Sequence, residues 1–298
     1  MINENEIFTL YSLLDDPQEV VRVEVDRKIL SFGEEVIDHL LRLDKQSGGI
    51  NASRIAELSR TISRVTTGNR FTQFLADPRM DVDLEEGVFI ITKFGYPQVD
   101  VDLYRMQLDE IARDIRRAAG ARISIGNLLL QLRTMLFSEL GYTGNRKEYY
   151  DPDNTYFNRV LDRRIGIPIT LSALMLLLGE RLDLPMKGIG MPMHFLLQYD
   201  DGSKSFFIDA FNNGSMLTKD QCKTMMVRSG FTFDASMLTP VTNRYMIERM
   251  LRNLLFAYQQ MRNAAELTAV TEFLLMFDPS YAQQSSEPEL DDPMEDDE

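Results

Sequence analysis

The sequence predicts a mainly helical α+β protein with a buried helix packed on a small antiparallel sheet at its core. Three observations carry this prediction. The stretch 168–182 is apolar on nearly every helical face, which is typical of a helix enclosed by protein. Three short strand-like segments follow it, and strong turn residues separate the last two. Helical periodicity dominates on both sides, so we expect helices to flank the sheet.

The N-terminal hundred residues predict paired helices. Apolar residues recur at helical spacing over 7–42, and a polar helix is expected within 44–70. A segment that begins with Asp-Pro and ends with Phe-Gly occurs at 16–33, and a similar segment, one residue longer, occurs at 77–95. Two copies do not make a solenoid, but they predict a HEAT-like region over 1–100.

The middle of the chain, 101–235, predicts the α+β core. Helices are expected at 103–119 and 125–139, with a loop over 141–154 and one helical turn between 154 and 161. Pro168 suits the first position of the buried helix, where a missing N–H costs nothing. Strands are expected at 186–191, 194–199 and 204–209, with a hairpin turn at 200–203, and another helix at 218–228.

The C-terminal part predicts an antiparallel helical pair, 241–262 and 264–277, within a region spanning 236–282. Residues 283–298 form an acidic segment that we expect to be disordered. The formal net charge is −14, and eight acids in this segment account for much of it, leaving −6 elsewhere. Such a surplus does not favour nonspecific nucleic-acid binding, which needs clustered Lys and Arg.

Composition limits the chemistry. One cysteine rules out an internal disulfide, and with only two histidines a His- or Cys-based metal site is not expected. We expect no cofactor. The polar N-terminus does not resemble a signal peptide and no apolar run is long enough to span a bilayer, so the sequence predicts a cytoplasmic protein.

His194 and Asp209 are the leading candidates for a functional pair. They stand at the outer ends of the predicted hairpin, so they are expected to lie near one another. A carboxylate there could hold the tautomer of the imidazole, as the third member of a catalytic triad does. The alternatives are a structural histidine and an aspartate that caps the turn at 212–214.

The start of the buried helix offers hydroxyls but no thiol. Thr170 and Ser172 could act as nucleophiles only with a well-placed base, and residues of this kind near a helix start more often bond the backbone. Cys222 falls in a predicted helix, where a buried free thiol is the default.

A polar run precedes the buried helix and supplies candidate binding residues. An arginine pair there could bind a carboxylate or phosphate; the equal alternative is an internal network that joins loop and core. The candidates are Asn154, Tyr156, Arg163 and Arg164.

These motifs, in this order, resemble the SirB-type transglutaminase-like family of bacteria. The matching segments are 150–158, 163–171, 184–185, 192–196 and 207–214, and the C-terminal pair is similar to a tetratricopeptide-like end. The resemblance implies a transglutaminase or papain-like core, in which a Cys at a helix start pairs with a strand His and Asp. It assigns His194 and Asp209 to the base and orienter, and puts Pro168 at the nucleophile position. Met193 and Ala210 replace a usual Gly and Pro.

Two functions remain open from the sequence. The first is a transglutaminase-like protein that lacks the catalytic Cys and acts as a non-catalytic binding, scaffold or regulatory module for a protein partner. The second is a hydrolase or acyl transferase that uses His194 and Asp209 with a hydroxyl or water nucleophile.

Overall fold

Helices make up most of the computed structural model, which describes residues 3–120 and 124–282. The helices are α1 (Glu4–Ser12), α2 (Glu19–Leu30), α3 (Glu35–Gln46), α4 (Ala52–Phe74), α5 (Leu84–Gly95), α6 (Val101–Ala119), α7 (Ile125–Arg133), α8 (Phe157–Arg163), α9 (Pro168–Arg181), α10 (Lys219–Arg228), α11 (Asn243–Gln260) and α12 (Ala264–Phe277). The strands are β1 (Thr143–Gly144), β2 (Ile165–Gly166), β3 (Met186–Met191), β4 (His194–Asp200), β5 (Ser205–Asp209) and β6 (Ser215–Leu217). The predicted mainly helical α+β class is confirmed.

The described residues divide into two compact units, 3–73 with 92–99, and 74–91 with the rest from 100 onward. The first unit is helical, and its core joins apolar side chains of α1, α2, α3 and α4. Its buried Asp44 carboxylate accepts hydrogen bonds from the Tyr11 hydroxyl at 2.9 Å and the Asn51 amide at 2.8 Å. The HEAT-like character of this region stays a prediction, and the acidic segment 283–298 lies outside the described residues.

The second unit holds an antiparallel sheet in the order β3-β4-β5-β6. The predicted hairpin forms between β4 and β5, where the alternation of apolar and polar residues predicted it. Asp and Gly residues favour its turn. The Asp201 carboxylate accepts bonds from the backbone N–H groups of Ser203 and Lys204 at 2.9 and 2.8 Å, and Gly202 takes a φ of 83°. Residues 192–193 join β3 to β4, and β6 extends the sheet beyond the three predicted strands.

Helices cover both faces of this sheet. On one face, α11 fits against two glycines of β3: a Cβ added at Gly190 would lie 2.7 Å from Tyr245, and one at Gly188 would lie 3.0 Å from Met246. The buried helix α9 packs on β3 and β4. On the other face, β-strand side chains share an apolar cluster with Cys222 and Met226 of α10. The sheet is thus an interior layer, which agrees with its short, apolar strands.

One predicted helix has a different geometry. The pattern over 125–139 predicts a single helix, but α7 ends at Arg133 and the chain continues as a π-helix, Thr134–Glu139. In it the Leu140 N–H bonds to the Met135 carbonyl at 2.8 Å, five residues back. Nothing in the sequence indicates this, because the buried leucines of the segment, Leu132 and Leu136, are four residues apart, as in an ordinary α-helix.

Candidate functional site

His194 and Asp209 form a buried hydrogen-bonded pair. The distance between His194 Nε2 and Asp209 Oδ2 is 2.9 Å. The two side chains are 6% and 1% exposed. The structure therefore brings together the two residues that the hairpin pattern proposed, and it encloses them.

The strand register explains this contact. Leu197 pairs with Ile208, so Asp209 lies opposite Leu196, two positions from His194 on the same face. Such diagonal neighbours across an antiparallel pair are within reach of long side chains. Because Leu196 belongs to the cluster around Cys222, the pair projects from the sheet face that α10 covers.

Asn212 secures the carboxylate from the following turn. Its backbone N–H donates to Asp209 Oδ1 at 3.1 Å, and its Nδ2 donates to Oδ2 at 2.9 Å. Its Oδ1 accepts a hydrogen bond from the Arg146 guanidinium, which fixes the orientation of the amide. A continuous chain of polar contacts thus runs from Arg146 through Asn212 and Asp209 to His194.

These contacts keep Asp209 ionised. Burial alone would raise the pKa of the Asp209 carboxyl, but the charge and hydrogen bond of His194 and two bonds from Asn212 outweigh it and hold that pKa below its usual value. Asp209 is therefore an acceptor at neutral pH. Because this carboxylate accepts, a neutral His194 ring would carry its proton on Nε2 and its lone pair on Nδ1.

Arg249 of α11 anchors the backbone at His194. Its Nη2 donates to the His194 carbonyl at 3.0 Å, and its guanidinium lies 5.6 Å from the Phe195 ring centroid. Arg249 is only 3% exposed. The rings of Phe211 and His194 make an edge-to-face contact with 6.2 Å between their centroids, so the imidazole is packed against an aromatic ring while Arg249 holds the His194 backbone.

A strained turn precedes His194. Met193 has a φ of 62°, in the left-handed region that favours glycine, and Pro192 occupies the position before it. The proline and the positive φ match the two central positions of a type II turn. Met193 therefore stands where the geometry itself prefers Gly.

At the start of α9, Thr170 joins the helix to the preceding loop. Its Oγ1 accepts the Ile167 N–H at 3.1 Å and donates to the Asn154 carbonyl at 2.8 Å. Pro168 is buried in the first helical position. The Thr170 hydroxyl is thus engaged in a helix cap. Its contacts support the structural role that the sequence offered, and not the role of a nucleophile.

The other two candidate nucleophiles are enclosed. Ser172 is fully buried, and within residues 3–120 and 124–282 its hydroxyl has no hydrogen-bond partner. Cys222 is also buried, and burial, with the nearby charge of Asp209, raises the pKa of its thiol to about 11. A thiol protonated at neutral pH is a poor nucleophile.

The predicted binding run has extensive internal contacts. Asn154 is fully buried; its Nδ2 donates to the carbonyls of Glu148 and Tyr149, and its Oδ1 accepts from Asn145 at 3.0 Å. The hydroxyls of Tyr156 and Tyr258 lie 2.5 Å apart. These contacts agree with the alternative of a network that joins loop and core.

The two arginines of this run differ. Arg163 Nη1 lies 2.7 Å from the Asp151 carboxylate and 3.4 Å from that of Asp153. Arg164 ends α8 with a φ of 58°, and its Nη1 donates to the Leu140 carbonyl at 2.9 Å. The guanidinium of Arg163 is already neutralised by carboxylates, which leaves Arg164 as the more available cation; ligand binding by either stays a prediction.

Four residues of the site were not among the sequence candidates: Asn145, Arg146, Asn212 and Arg249. Asn212 had a visible signal, because an Asn-Asn-Gly turn begins three residues after Asp209 and Asn side chains bond neighbouring backbone in turns. Arg249 had none, since 55 residues separate it from His194. No cluster of three metal-binding side chains occurs among the residues that the structure describes, nor any helix with the length and apolarity to cross a membrane.

Comparisons with known proteins cover this region. A family model described as transglutaminase-like superfamily matches residues 102–252. The chain is 34% identical over 178 residues to a UPF0162 protein of Xylella fastidiosa strain 9a5c, covering 57% of this chain and 62% of that protein. A UPF0162 protein of Vibrio cholerae is 27% identical over 155 residues, covering 51% of this chain and 57% of the relative.

A eukaryotic relative matches a longer segment. F-box only protein 21 of Homo sapiens is 28% identical over 238 residues, which covers 67% of this chain and 37% of that protein. The chain therefore spans less than two thirds of the length of these relatives. No solved structure gives a significant match. Since the family model covers half of the chain and includes His194, Asp209 and the start of α9, the chain belongs to the transglutaminase-like superfamily.

Proposed function

We propose that this chain is a non-catalytic transglutaminase-like protein of the SirB type, a binding or scaffold module in which the His-Asp pair serves the fold. The observation that carries the proposal is the buried hydrogen bond between His194 and Asp209 combined with a proline at the position that the resemblance assigns to the nucleophile. A base and its orienter accelerate acyl transfer only when a nucleophile is available to them.

Three other side chains that could in principle react also favour a non-catalytic role. The Thr170 hydroxyl caps α9, the Ser172 hydroxyl is enclosed, and the Cys222 thiol is held protonated by burial. None of the three has the exposure or activation that nucleophilic side chains need.

A protein partner in the cytoplasm fits the remaining features. The C-terminal pair α11 and α12 packs as two consecutive helices, which supports a tetratricopeptide-like partner surface. The negative net charge favours a basic or neutral protein partner over nucleic acid.

Turnover measurements test the proposal directly. The wild-type chain and His194→Ala are incubated with a broad panel of esters, amides and amine–glutamine peptide pairs, and with an electrophilic acyl probe followed by intact mass spectrometry. We expect no product and no adduct that depends on His194. A product formed by the wild type and lost in a folded His194→Ala variant contradicts the proposal.

The second candidate is a hydrolase that activates water. The specific observation in its favour is the engagement of Nε2 with Asp209, which leaves Nδ1 as a potential base. This candidate requires that His194→Ala and Asp209→Asn both abolish turnover while Cys222→Ala retains it. Turnover absent throughout the panel removes this candidate.

A further inference from the structure

A cavity lies beside the π-helical segment that follows α7. It has a volume of about 420 Å³, in the range of pockets that hold small ligands. Its wall includes Arg133, Thr134 and Ser138 from the helical side and Thr143 and Asn213 from two other segments. π-Helical turns are uncommon and occur frequently at functional sites, which makes this cavity a candidate site.

Arg133 gives the cavity a positive charge, and no residue described by the structure supplies a counterion. Among the residues that the structure describes, no carboxylate lies within ion-pair distance of its guanidinium, and its buried Nε has no hydrogen-bond partner. Two other partly buried arginines of the same unit have carboxylate partners: Arg163 pairs with Asp151 at 2.7 Å and Arg181 with Glu85 at 2.6 Å. A partly buried cation with no internal acid is costly unless something else supplies the negative charge.

The other polar groups that line the cavity can donate hydrogen bonds to an occupant. The hydroxyls of Thr134, Ser138 and Thr143 and the amide of Asn213 make no side-chain hydrogen bond within the described ranges. Among the described residues that line the cavity none is acidic, whereas Leu130 and Phe137 contribute apolar surface. The Arg133 guanidinium and the neutral donors match a carboxylate, and the apolar wall matches an apolar group attached to it.

The cavity adjoins the His-Asp pair through one turn. Gly214 has a φ of 66°, and a Cβ there would lie 2.6 Å from the Phe137 ring and 3.3 Å from Arg133 Nε. Glycine therefore lets the turn approach the π-helix closely. Asn212, two residues before Gly214 in the same turn, holds the Asp209 carboxylate, so an occupant that contacts Asn213 lies one residue from that network.

We propose that this cavity binds the carboxylate of a ligand with an apolar side group, such as an aliphatic acid or the C-terminal end of a peptide, with Arg133 as its counterion. A phosphate fits less well, because a dianion calls for more than the one cation that the wall supplies. The proposal stands whether or not His194 supports turnover, since it involves neither member of the pair.

Titrations monitored by NMR of the full chain test it. Hexanoate and N-acetyl-leucine represent the two sources of the carboxylate; N-acetyl-leucinamide, which lacks the charge, and inorganic phosphate are the comparison ligands. We expect saturable shifts of the Arg133 Nε–H signal and of the backbone amides of Thr134, Ser138 and Asn213 with one or both carboxylates, and much weaker effects from the amide and phosphate.

Variants then assign the effect to Arg133. Arg133→Gln should raise the dissociation constant at least tenfold, and Arg133→Lys, which keeps the charge but loses the fork, should raise it less. Arg79→Gln is the matched control, because Arg79 is largely exposed. If Arg133→Gln does not fold, Arg133→Lys and Thr143→Val carry the test.

Three results overturn the proposal: no saturable shift with either carboxylate, equal binding of the amide or of phosphate, or equal loss of binding in Arg79→Gln. Binding of hexanoate alone supports a free aliphatic acid, and binding of N-acetyl-leucine alone supports a peptide end.

Discussion

The Arg249 guanidinium donates a hydrogen bond to the main-chain carbonyl of His194, with 3.0 Å between Nη2 and O. This contact ties α11, the first helix of the C-terminal pair, to the first residue of β4, the strand that carries the candidate base. The histidine is thus held on both sides, by Asp209 at its ring and by Arg249 at its backbone.

We expect Arg249→Met to destabilise the fold by about 2–4 kcal/mol, because it leaves the buried His194 carbonyl without this donor and removes the cation from the Phe195 ring. Urea unfolding measures the change. Arg117→Met is the control, since Arg117 is largely exposed and pairs with Asp114 one turn away. Equal stability of the two variants contradicts the anchoring role.

At the turn that contains Met193, we expect a substitution by glycine to be favourable for stability. A left-handed backbone costs a residue with a Cβ roughly 1–2 kcal/mol, so Met193→Gly should be more stable than Met193→Ala by about 1 kcal/mol after the greater unfolded-state entropy of glycine is counted. The comparison with Ala removes the contribution of the methionine side chain. An alanine variant at least as stable as the glycine variant shows that the backbone here is unstrained.

Cys222 should be almost inert in the folded protein. Its thiol pKa of about 11 leaves a very small thiolate fraction at pH 8, so alkylation by iodoacetamide should be at least about 100-fold slower than in urea. Mass spectrometry of timed samples measures both rates. Rapid labelling of the native chain at neutral pH contradicts the burial of this thiol and reopens thiol chemistry.

Asp209→Asn should change how stability depends on pH. The pKa of Asp209 is lower in the folded than in the unfolded chain, so the ionised carboxylate stabilises the fold above the unfolded-state pKa of about 4, and this contribution disappears as the pH falls through the folded-state value. The stability difference between wild type and Asp209→Asn should therefore be largest near neutral pH and shrink below about pH 4. A difference that is constant from pH 7 to pH 3 contradicts this linkage.

Local patterns in the sequence located the hairpin and the helix start. Alternation with an Asp-Asp-Gly turn placed β4 and β5 to within a residue or so, and from that register the proximity of His194 and Asp209 follows. Pro168 predicted the first position of α9, because proline is compatible with helix only there.

Long-range contacts could not be predicted in the same way. The bond from Arg249 to the His194 carbonyl and the chain from Arg146 through Asn212 depend on how distant segments pack, which no local period encodes. Only the structure shows that Arg133 has no carboxylate partner among the described residues, because a sequence does not show which arginines lack an acid.

The central claim, that the His-Asp pair serves the fold, is tested most directly by a double-mutant cycle on stability. Urea unfolding is measured for His194→Ala, Asp209→Ala and the double variant, with His39→Ala as the control for the other histidine. We expect both single variants to be destabilised and the two residues to be coupled by at least about 1 kcal/mol. Single variants as stable as the wild type, or more stable, and without coupling would contradict the account, because groups kept for chemistry commonly cost stability rather than supply it.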